Sequence, residues 1–185
     1  LSVLTTMPKG RIPVKTWMVP EKKREAAYAW IEKELTSTHS QAFVVCPLID
    51  NSETLQTVKA VTSEYERLKR IFPRLRVALL HGRMKPAEKT AILQKMRDRQ
   101  CDILVATPVV EVGIDIPDAT IIVIEGAERF GLAQLHQLRG RVLRSTQQAY
   151  CFLFSESKTE TALKRLLALG QAKNGFELAE TDLML

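Results

Sequence analysis

The chain has 185 residues, of which 45% are hydrophobic and 26% are charged, and it carries a formal net charge of +6. These values fit one soluble domain with an ample core and favour a polyanionic partner. No apolar run approaches the roughly 18 residues that a membrane span requires, and no segment resembles a signal peptide. We therefore expect a cytoplasmic protein without a membrane partner.

The three cysteines, Cys46, Cys101 and Cys151, lie far apart and show no spacing typical of a zinc site. We expect them to be buried free thiols in a reducing compartment, and we predict no metal site. The chain begins at Leu1 rather than at methionine and ends on an apolar dipeptide. This pattern predicts a piece of a longer protein.

Short apolar runs alternate with segments of helical periodicity along the chain. The runs typical of strands are 14–19, 42–46, 75–80, 103–106, 120–124 and 149–154. The segments typical of helices are 21–35, 50–72, a segment that begins at Pro86, 132–138 and 159–169.

Helix boundaries are predicted from capping residues. Asp50, with Glu53 three residues later, predicts the start of the second helix, which Pro73 would end. Gly170 is predicted to end the last helix.

The strand-like runs are continuously apolar rather than alternating, which is typical of strands covered on both faces. Together with the alternating order of strands and helices, this predicts an α/β fold with a mostly parallel sheet of about six strands and helices on both faces. The tail at 171–185 has no strand pattern.

Each unusual polar group in the chain follows a predicted strand. These groups are 47–53, 81–85, 107–115 and 125–130. Because open parallel sheets bind ligands at the carboxyl ends of their strands, this common placement predicts one functional edge.

The group at 107–115 contains three residues suited to a nucleotide. Thr107 offers a hydroxyl and an N–H at a strand end, Gly113 permits a close approach of the backbone, and Asp115 could accept hydrogen bonds from a ribose. A plain loop with a glycine turn would also explain these residues.

Arg139, Arg141 and Arg144 form the densest basic cluster, beside Gln137. If the helix at 132–138 continues, Gln137, Arg141 and Arg144 share one face. Because arginine binds phosphate through two charge-assisted bonds, the cluster predicts an anion site, most simply for a nucleotide phosphate. A solvated basic face paired with surface carboxylates is the alternative.

The segment from His81 to Lys85 combines a glycine with cations and could grip a nucleic-acid backbone. His81 itself is expected to be a hydrogen-bonded structural residue, and His136 is a possible substrate contact. The sequence contains neither a G-x-x-x-x-G-K-[ST] loop nor an acidic Asp-Glu-x-His motif. Without them the arginines can complete an NTP site but cannot form one.

The chain resembles the second RecA-like motor domain of superfamily 2 helicases. The stretch Thr107-x5-Gly113-x-Asp115 resembles motif V of that superfamily, Gln137-x-x-Gly140-Arg141-x-x-Arg144 resembles motif VI, and 43–47 resembles motif IV. Within the superfamily, the segments 45–53, 80–85 and 128–142 are most similar to the RecG-type ATP-dependent DNA helicases. The resemblance implies a helicase C-terminal domain at 1–170 and the start of a translocation motif at 171–185.

The resemblance also implies a role for individual residues. Arg141 and Arg144 would be arginine fingers, and Gly113, Asp115 and Gln137 would contact the nucleotide. ATP and Mg²⁺ would be held mainly by a first RecA-like domain, so this chain alone is expected to be inactive. The residues that would contact DNA are Cys46, Pro47, His81, Gly82, Arg83 and Thr107. Leu143 stands where the family usually has glycine, and Pro108 stands where it usually has threonine.

The leading functional hypothesis is therefore the motor domain of a DNA helicase that acts on branched or duplex DNA in recombination and replication-fork repair. One alternative is the motor domain of a transcription-repair coupling translocase, which shares the segment 130–142. Another alternative is a non-enzymatic module that binds nucleic acid with the same basic edge.

Overall fold

The computed structural model describes residues 12–50, 52, 54–108, 115–142 and 146–171. Six strands form one sheet in the order β1-β6-β5-β2-β4-β3, and every neighbouring pair is parallel. The strands are β1 (Lys15–Val19), β2 (Gln41–Val45), β3 (Val77–Leu80), β4 (Ile103–Ala106), β5 (Ala119–Ile124) and β6 (Tyr150–Phe154). The predicted class and strand number are confirmed.

In the described ranges, four α-helices lie between strands and a fifth follows β6. They are α1 (Arg24–Thr38), α2 (Leu55–Ile71), α3 (Pro86–Arg97), α4 (Leu132–Arg139) and α5 (Glu160–Gln171). Helices α1 and α2 bury their apolar side chains against one face of the sheet, and α3, α4 and α5 bury theirs against the other. Every residue of β2, β4 and β5 is buried, and all of them except Gln41 and Thr120 are apolar. This confirms the prediction of strands covered on both faces.

Two predicted helix boundaries were wrong. Helix α2 begins after Thr54 rather than at Asp50, because the hydroxyl of Thr54 accepts a hydrogen bond from the Thr57 N–H at 3.2 Å. Glu53 lies outside the described residues. Helix α5 continues through Gly170 to Gln171, where a side chain at Gly170 would meet no described atom within 4 Å. The glycine is therefore accommodated within the last turn.

Aromatic side chains pack along the edge of the sheet at β1. Trp17 lies edge-to-face with Trp30 at 5.6 Å between ring centroids and stacks on Tyr150 at 5.4 Å. Phe152 lies against both tryptophans. Both tryptophans therefore pack at this edge of the sheet, although Trp17 keeps 40% of its surface exposed. The three cysteines are buried and free, as predicted.

A cluster of charges ties α1 and α2 to the carboxyl end of β5. Arg24 donates to both carboxylate oxygens of Glu125, at 3.2 and 3.0 Å, and Tyr28 donates to Oε1 at 3.4 Å. Arg67 lies 3.5 Å from Glu125 Oε1 and also binds Glu64. Burial raises the pKa of Glu125 to about 7, and the Glu64 charge acts in the same direction, while the two arginines offset part of this effect.

The raised pKa of Glu125 predicts a pH dependence of stability. The unfolded carboxyl titrates near its ordinary value of 4.5, so between about pH 4.5 and 7 the folded chain holds more protons than the unfolded chain. The extra proton on Glu125 stabilises the folded chain. Its contribution to the free energy of unfolding is full below pH 4.5 and is lost as the pH rises to 7. We expect thermal and urea unfolding to show it as a difference between the wild type and Glu125→Gln.

The stability of the wild type relative to Glu125→Gln should fall by on the order of 2 kcal/mol between pH 5 and pH 8. The neutral variant serves as the reference because other groups that titrate in this range affect both proteins equally. A difference that stays constant or grows with pH would mean that Arg24 and Arg67 outweigh the burial of Glu125.

Candidate nucleotide and nucleic-acid site

The loops that carry the predicted DNA contacts lie side by side at the carboxyl edge of the sheet. They follow β2, β4 and β3, which are adjacent in the sheet. Backbone hydrogen bonds continue past the strand ends, from Cys46 N–H to Ala106 O at 2.9 Å and from Thr107 N–H to Leu80 O at 3.3 Å. The parallel pairing therefore brings these three loops together, as the sequence analysis predicted.

The loop after β2 begins with two packed residues. The side chain of Cys46 is buried among the residues that α1 and α2 cover, and burial holds the pKa of its thiol well above the ordinary value. Pro47 packs against Gly126, whose φ is +56° and where an added Cβ would lie 3.0 Å from Pro47 Cγ. Gly126 thus allows the loop after β5 to lie against the loop after β2.

Thr57 holds the rest of this loop in place. Its hydroxyl donates to Ser52 O at 3.2 Å and accepts from the Ile49 N–H at 3.0 Å, and its side chain is fully buried. Beside this loop lies an open groove of about 500 Å³, whose lining includes Pro47, Glu64 and Glu125.

The loop after β3, residues 81–85, is held by the first turn of α3. Lys89 Nζ donates to Gly82 O at 2.8 Å, and Glu88 accepts from the Lys85 N–H at 2.9 Å. Arg83 is exposed. His81 was expected to be hydrogen-bonded through its ring, but its buried Nδ1 has no partner among the residues that the structure describes.

Thr107, the residue after β4, is buried, with 2% of its surface exposed. Its hydroxyl is therefore not open to solvent in this conformation, although a phosphate contact was predicted for it. Asp115 is exposed on the segment that leads into β5. Gly113, the third residue of this predicted nucleotide-binding group, lies outside the described residues.

Two of the predicted nucleotide contacts lie at the end of α4. Gln137 is exposed, and Arg141 is half-buried in the single 3₁₀ turn Gly140–Val142 that follows the helix. The α-helix does not continue to Arg141, so the helical face that such a continuation would have given is not formed there. Gly140 is a weak helix former, and its φ and ψ of −62° and −17° suit the tighter turn. Arg144 and Leu143 lie outside the described residues.

Arg141 differs from Arg139, two residues earlier. Within the described part of the chain, the Arg141 guanidinium has neither a hydrogen bond nor an ion pair. Arg139 is 9% exposed and donates to Leu169 O at 2.6 Å and to Thr16 Oγ1 at 3.3 Å. The prediction of a three-arginine anion cluster was therefore wrong for Arg139, which joins α4 to the last turn of α5.

His136 packs against Arg139 rather than standing free for a substrate. Its Nδ1 lies 3.2 Å from Arg139 Nη2. Burial and the nearby guanidinium lower the pKa of His136. Burial likewise lowers the pKa of Arg139. This pairing removes His136 Nδ1 as a simple ligand contact.

Sequence reasoning missed two groups that shape this edge. Glu125 was part of a predicted functional segment, but its partner Arg24 is 101 residues away, so no local pattern predicts their pairing. Lys89 has the sequence context of an ordinary helix residue. The signal that could have found it is a lysine in the first turn of a helix, where the helix dipole disfavours cations.

Neither a metal site nor a membrane span is found in the described ranges. No cluster of three histidine, cysteine, aspartate or glutamate side chains there could hold a metal ion. None of the described helices is both long and apolar enough to cross a bilayer.

The sequence is similar to known helicases along its whole length. It is 45% identical to the ATP-dependent DNA helicase RecG of Synechocystis sp. over 100% of this chain and 22% of that protein. It is 44% identical to RecG of Staphylococcus epidermidis over 99% of this chain and 27% of that protein. The chain thus spans about a quarter of the length of these curated relatives.

Solved structures give the same result. The structure of RecG bound to a three-way DNA junction matches 96% of this chain, and 23% of that chain, with a TM-score of 0.80 and 42% identity. Domain 2 of the DEAD-box helicase Mss116p, bound to an RNA duplex, matches 83% of this chain and 59% of that chain with a TM-score of 0.64. At 21% identity, the second match shows a shared fold alone.

The family assignment follows from the sequence directly. Residues 23–146, about two thirds of the chain, match the helicase conserved C-terminal domain. The matched range includes the loops after β2, β3 and β4 as well as α4 and Arg141. The chain therefore belongs to the helicase conserved C-terminal domain family.

Proposed function

We propose that this chain is the second RecA-like motor domain of a RecG-type ATP-dependent DNA helicase. The observation that carries the proposal is the difference in burial and contacts between Arg139, the last residue of α4, and Arg141 in the turn after it. Arg139 is buried and fully engaged in packing, whereas the half-buried Arg141 has no partner in the described part of the chain. A half-buried guanidinium that has no partner among the described residues is suited to an anionic ligand.

The residues around Arg141 fit a nucleotide that is shared with another domain. A Cβ at Gly140 would meet no described atom within 4 Å, so packing does not require glycine there and a ligand can approach closely. ATP with Mg²⁺, held mainly by a first motor domain, would supply the phosphoanhydride bond. Arg141, together with Arg144, would stabilise charge on the γ-phosphoryl group, with Gln137, Gly113 and Asp115 nearby.

The adjacent loops after β2, β4 and β3 would contact the DNA backbone. The loop at 81–85 contributes the exposed cations Arg83 and Lys85. A solved structure of RecG, a relative of this chain, holds a three-way DNA junction, which supports branched DNA as the substrate. In this proposal the protein acts in replication-fork repair and recombination in the cytoplasm. In this proposal residues 1–170 are the motor domain and 171–185 begin the translocation motif.

Loss of the Arg141 guanidinium should abolish most ATP hydrolysis in a protein that joins this chain to its first motor domain. We expect Arg141→Ala to lower kcat about 10³-fold or more, because an arginine finger acts mainly on the transition state. The KM for ATP should change much less. Steady-state ATPase assays with saturating DNA provide the measurement.

Arg97→Ala is the matched control, because Arg97 is exposed at the far end of α3 and should leave kcat unchanged. The chain without a first motor domain should hydrolyse ATP negligibly. Robust hydrolysis by the chain alone that Arg141→Ala abolishes would contradict the shared-site proposal.

Loss of a single phosphate contact should reduce the salt dependence of DNA binding. We expect Arg83→Ala to weaken binding to a three-way DNA junction about tenfold and to lower the slope of log K against log salt concentration by about 1. Fluorescence anisotropy at salt concentrations from about 50 to about 200 mM tests both effects. An unchanged affinity and slope would remove the 81–85 loop from the proposed DNA surface.

A further inference from the structure

The loop at 81–85 is held by Lys89, a cation near the amino end of α3, where a positive charge is unfavourable. Lys89 lies in the first turn of α3, where the positive end of the helix dipole repels a cation. It forms no ion pair among the described residues, and Glu88 beside it is engaged with the Lys85 N–H. The described polar contact of its ammonium is the 2.8 Å bond to Gly82 O.

This bond sets the orientation of one peptide unit. A trans peptide is planar, and its C=O and N–H point in opposite directions. Because the Gly82 carbonyl faces Lys89 on α3, the N–H of Arg83 faces away from α3. Glycine at position 82 has many accessible backbone conformations, so an unrestrained loop would sample others.

Two further contacts restrict the same loop. The Met84 N–H donates to His81 O at 3.3 Å, and the Lys85 N–H donates to Glu88 at 2.9 Å. These bonds fix the two ends of the loop, whereas the Lys89 bond fixes its middle. Lys89 therefore controls the direction in which the loop presents Arg83.

We propose that Lys89 is a positioning residue for nucleic-acid binding, which acts through the Gly82–Arg83 peptide rather than by touching the strand. The inference rests on the proposed DNA contact of Arg83. The Nζ of Lys89 holds the Gly82 carbonyl, so that the backbone and side chain of Arg83 are set toward the nucleic acid before binding. Pre-organisation of this kind strengthens binding because less conformational entropy is lost on association.

A double-mutant cycle on a three-way DNA junction separates this role from a direct contact. It uses the wild type, Lys89→Met, Arg83→Ala and the double variant of the two-domain protein, with dissociation constants measured at one salt concentration. We expect Lys89→Met to weaken binding about tenfold in the wild-type background but less than about twofold in the Arg83→Ala background. Lys89→Arg, which keeps a donor, should bind within about twofold of the wild type.

Lys95→Met is the matched control. Lys95 is exposed on the same helix, and its loss removes the same charge without touching the loop. It should change affinity less than about twofold in both backgrounds. Thermal midpoints identify any variant that is not folded, and Lys89→Ala replaces Lys89→Met if the latter unfolds.

The possible outcomes are distinct. Multiplicative effects of Lys89→Met and Arg83→Ala would show that Lys89 touches DNA or acts by charge alone, and would overturn the inference while leaving the proposed function intact. A Lys89→Met protein with wild-type affinity would also overturn it. If Arg83→Ala binds as the wild type does, this loop does not contact DNA, and both the loop assignment and the inference fail.

Discussion

Parallel pairing throughout the sheet is the constraint on which the remaining structure depends. Strand β2 lies between β4 and β5 and is buried on both faces. Helices α1, α2, α3 and α4 each return over one face of the sheet between two parallel strands. All six carboxyl ends consequently lie at one edge. Residues that directly follow different strands, such as Cys46 after β2 and Ser155 after β6, therefore lie at the same edge although they are distant along the chain. No local sequence signal is needed to bring them there.

The structure uses arginine in two physically different ways. Arg139 and Arg24 are largely removed from water and satisfy their donors with carbonyl, hydroxyl, imidazole or carboxylate acceptors. Arg141 keeps partial exposure in the 3₁₀ turn that directly follows α4. The two classes cannot be separated by residue type or spacing, because Arg139 and Arg141 are both arginines and lie only two residues apart in the sequence. Burial, rather than clustering, distinguishes an arginine that stabilises the fold from one available to a ligand.

The fold was predictable because its signals are local and repeated. Continuous apolar runs identified all six strands, and Pro86 and the apolar spacing of α1 identified helices with small boundary errors. The start of α2 was missed because Asp50 and Thr54 are both good capping residues, and only the tertiary position of Thr57 selects Thr54. The continuation of α5 through Gly170 was missed because the surroundings of a glycine decide whether it ends a helix.

The candidate site was predictable in its location but less so in its contacts. The rule that ligands lie at carboxyl ends placed the loops correctly, whereas the pairing of Glu125 with Arg24, the burial of Thr107 and the bond from Lys89 to Gly82 depend on three-dimensional packing. Gly113 and Arg144 keep the status of sequence predictions, because they lie outside the described residues.

The aromatic packing at β1 has a consequence for spectroscopy. The chain contains two tryptophans, and both belong to the same cluster, with their rings 5.6 Å apart. Their combined emission therefore senses the polarity and packing of the outer edge formed by β1, α1 and β6. Any change in that emission when a nucleotide or DNA is added would report a rearrangement transmitted across the sheet, because neither indole belongs to the loops at the carboxyl edge.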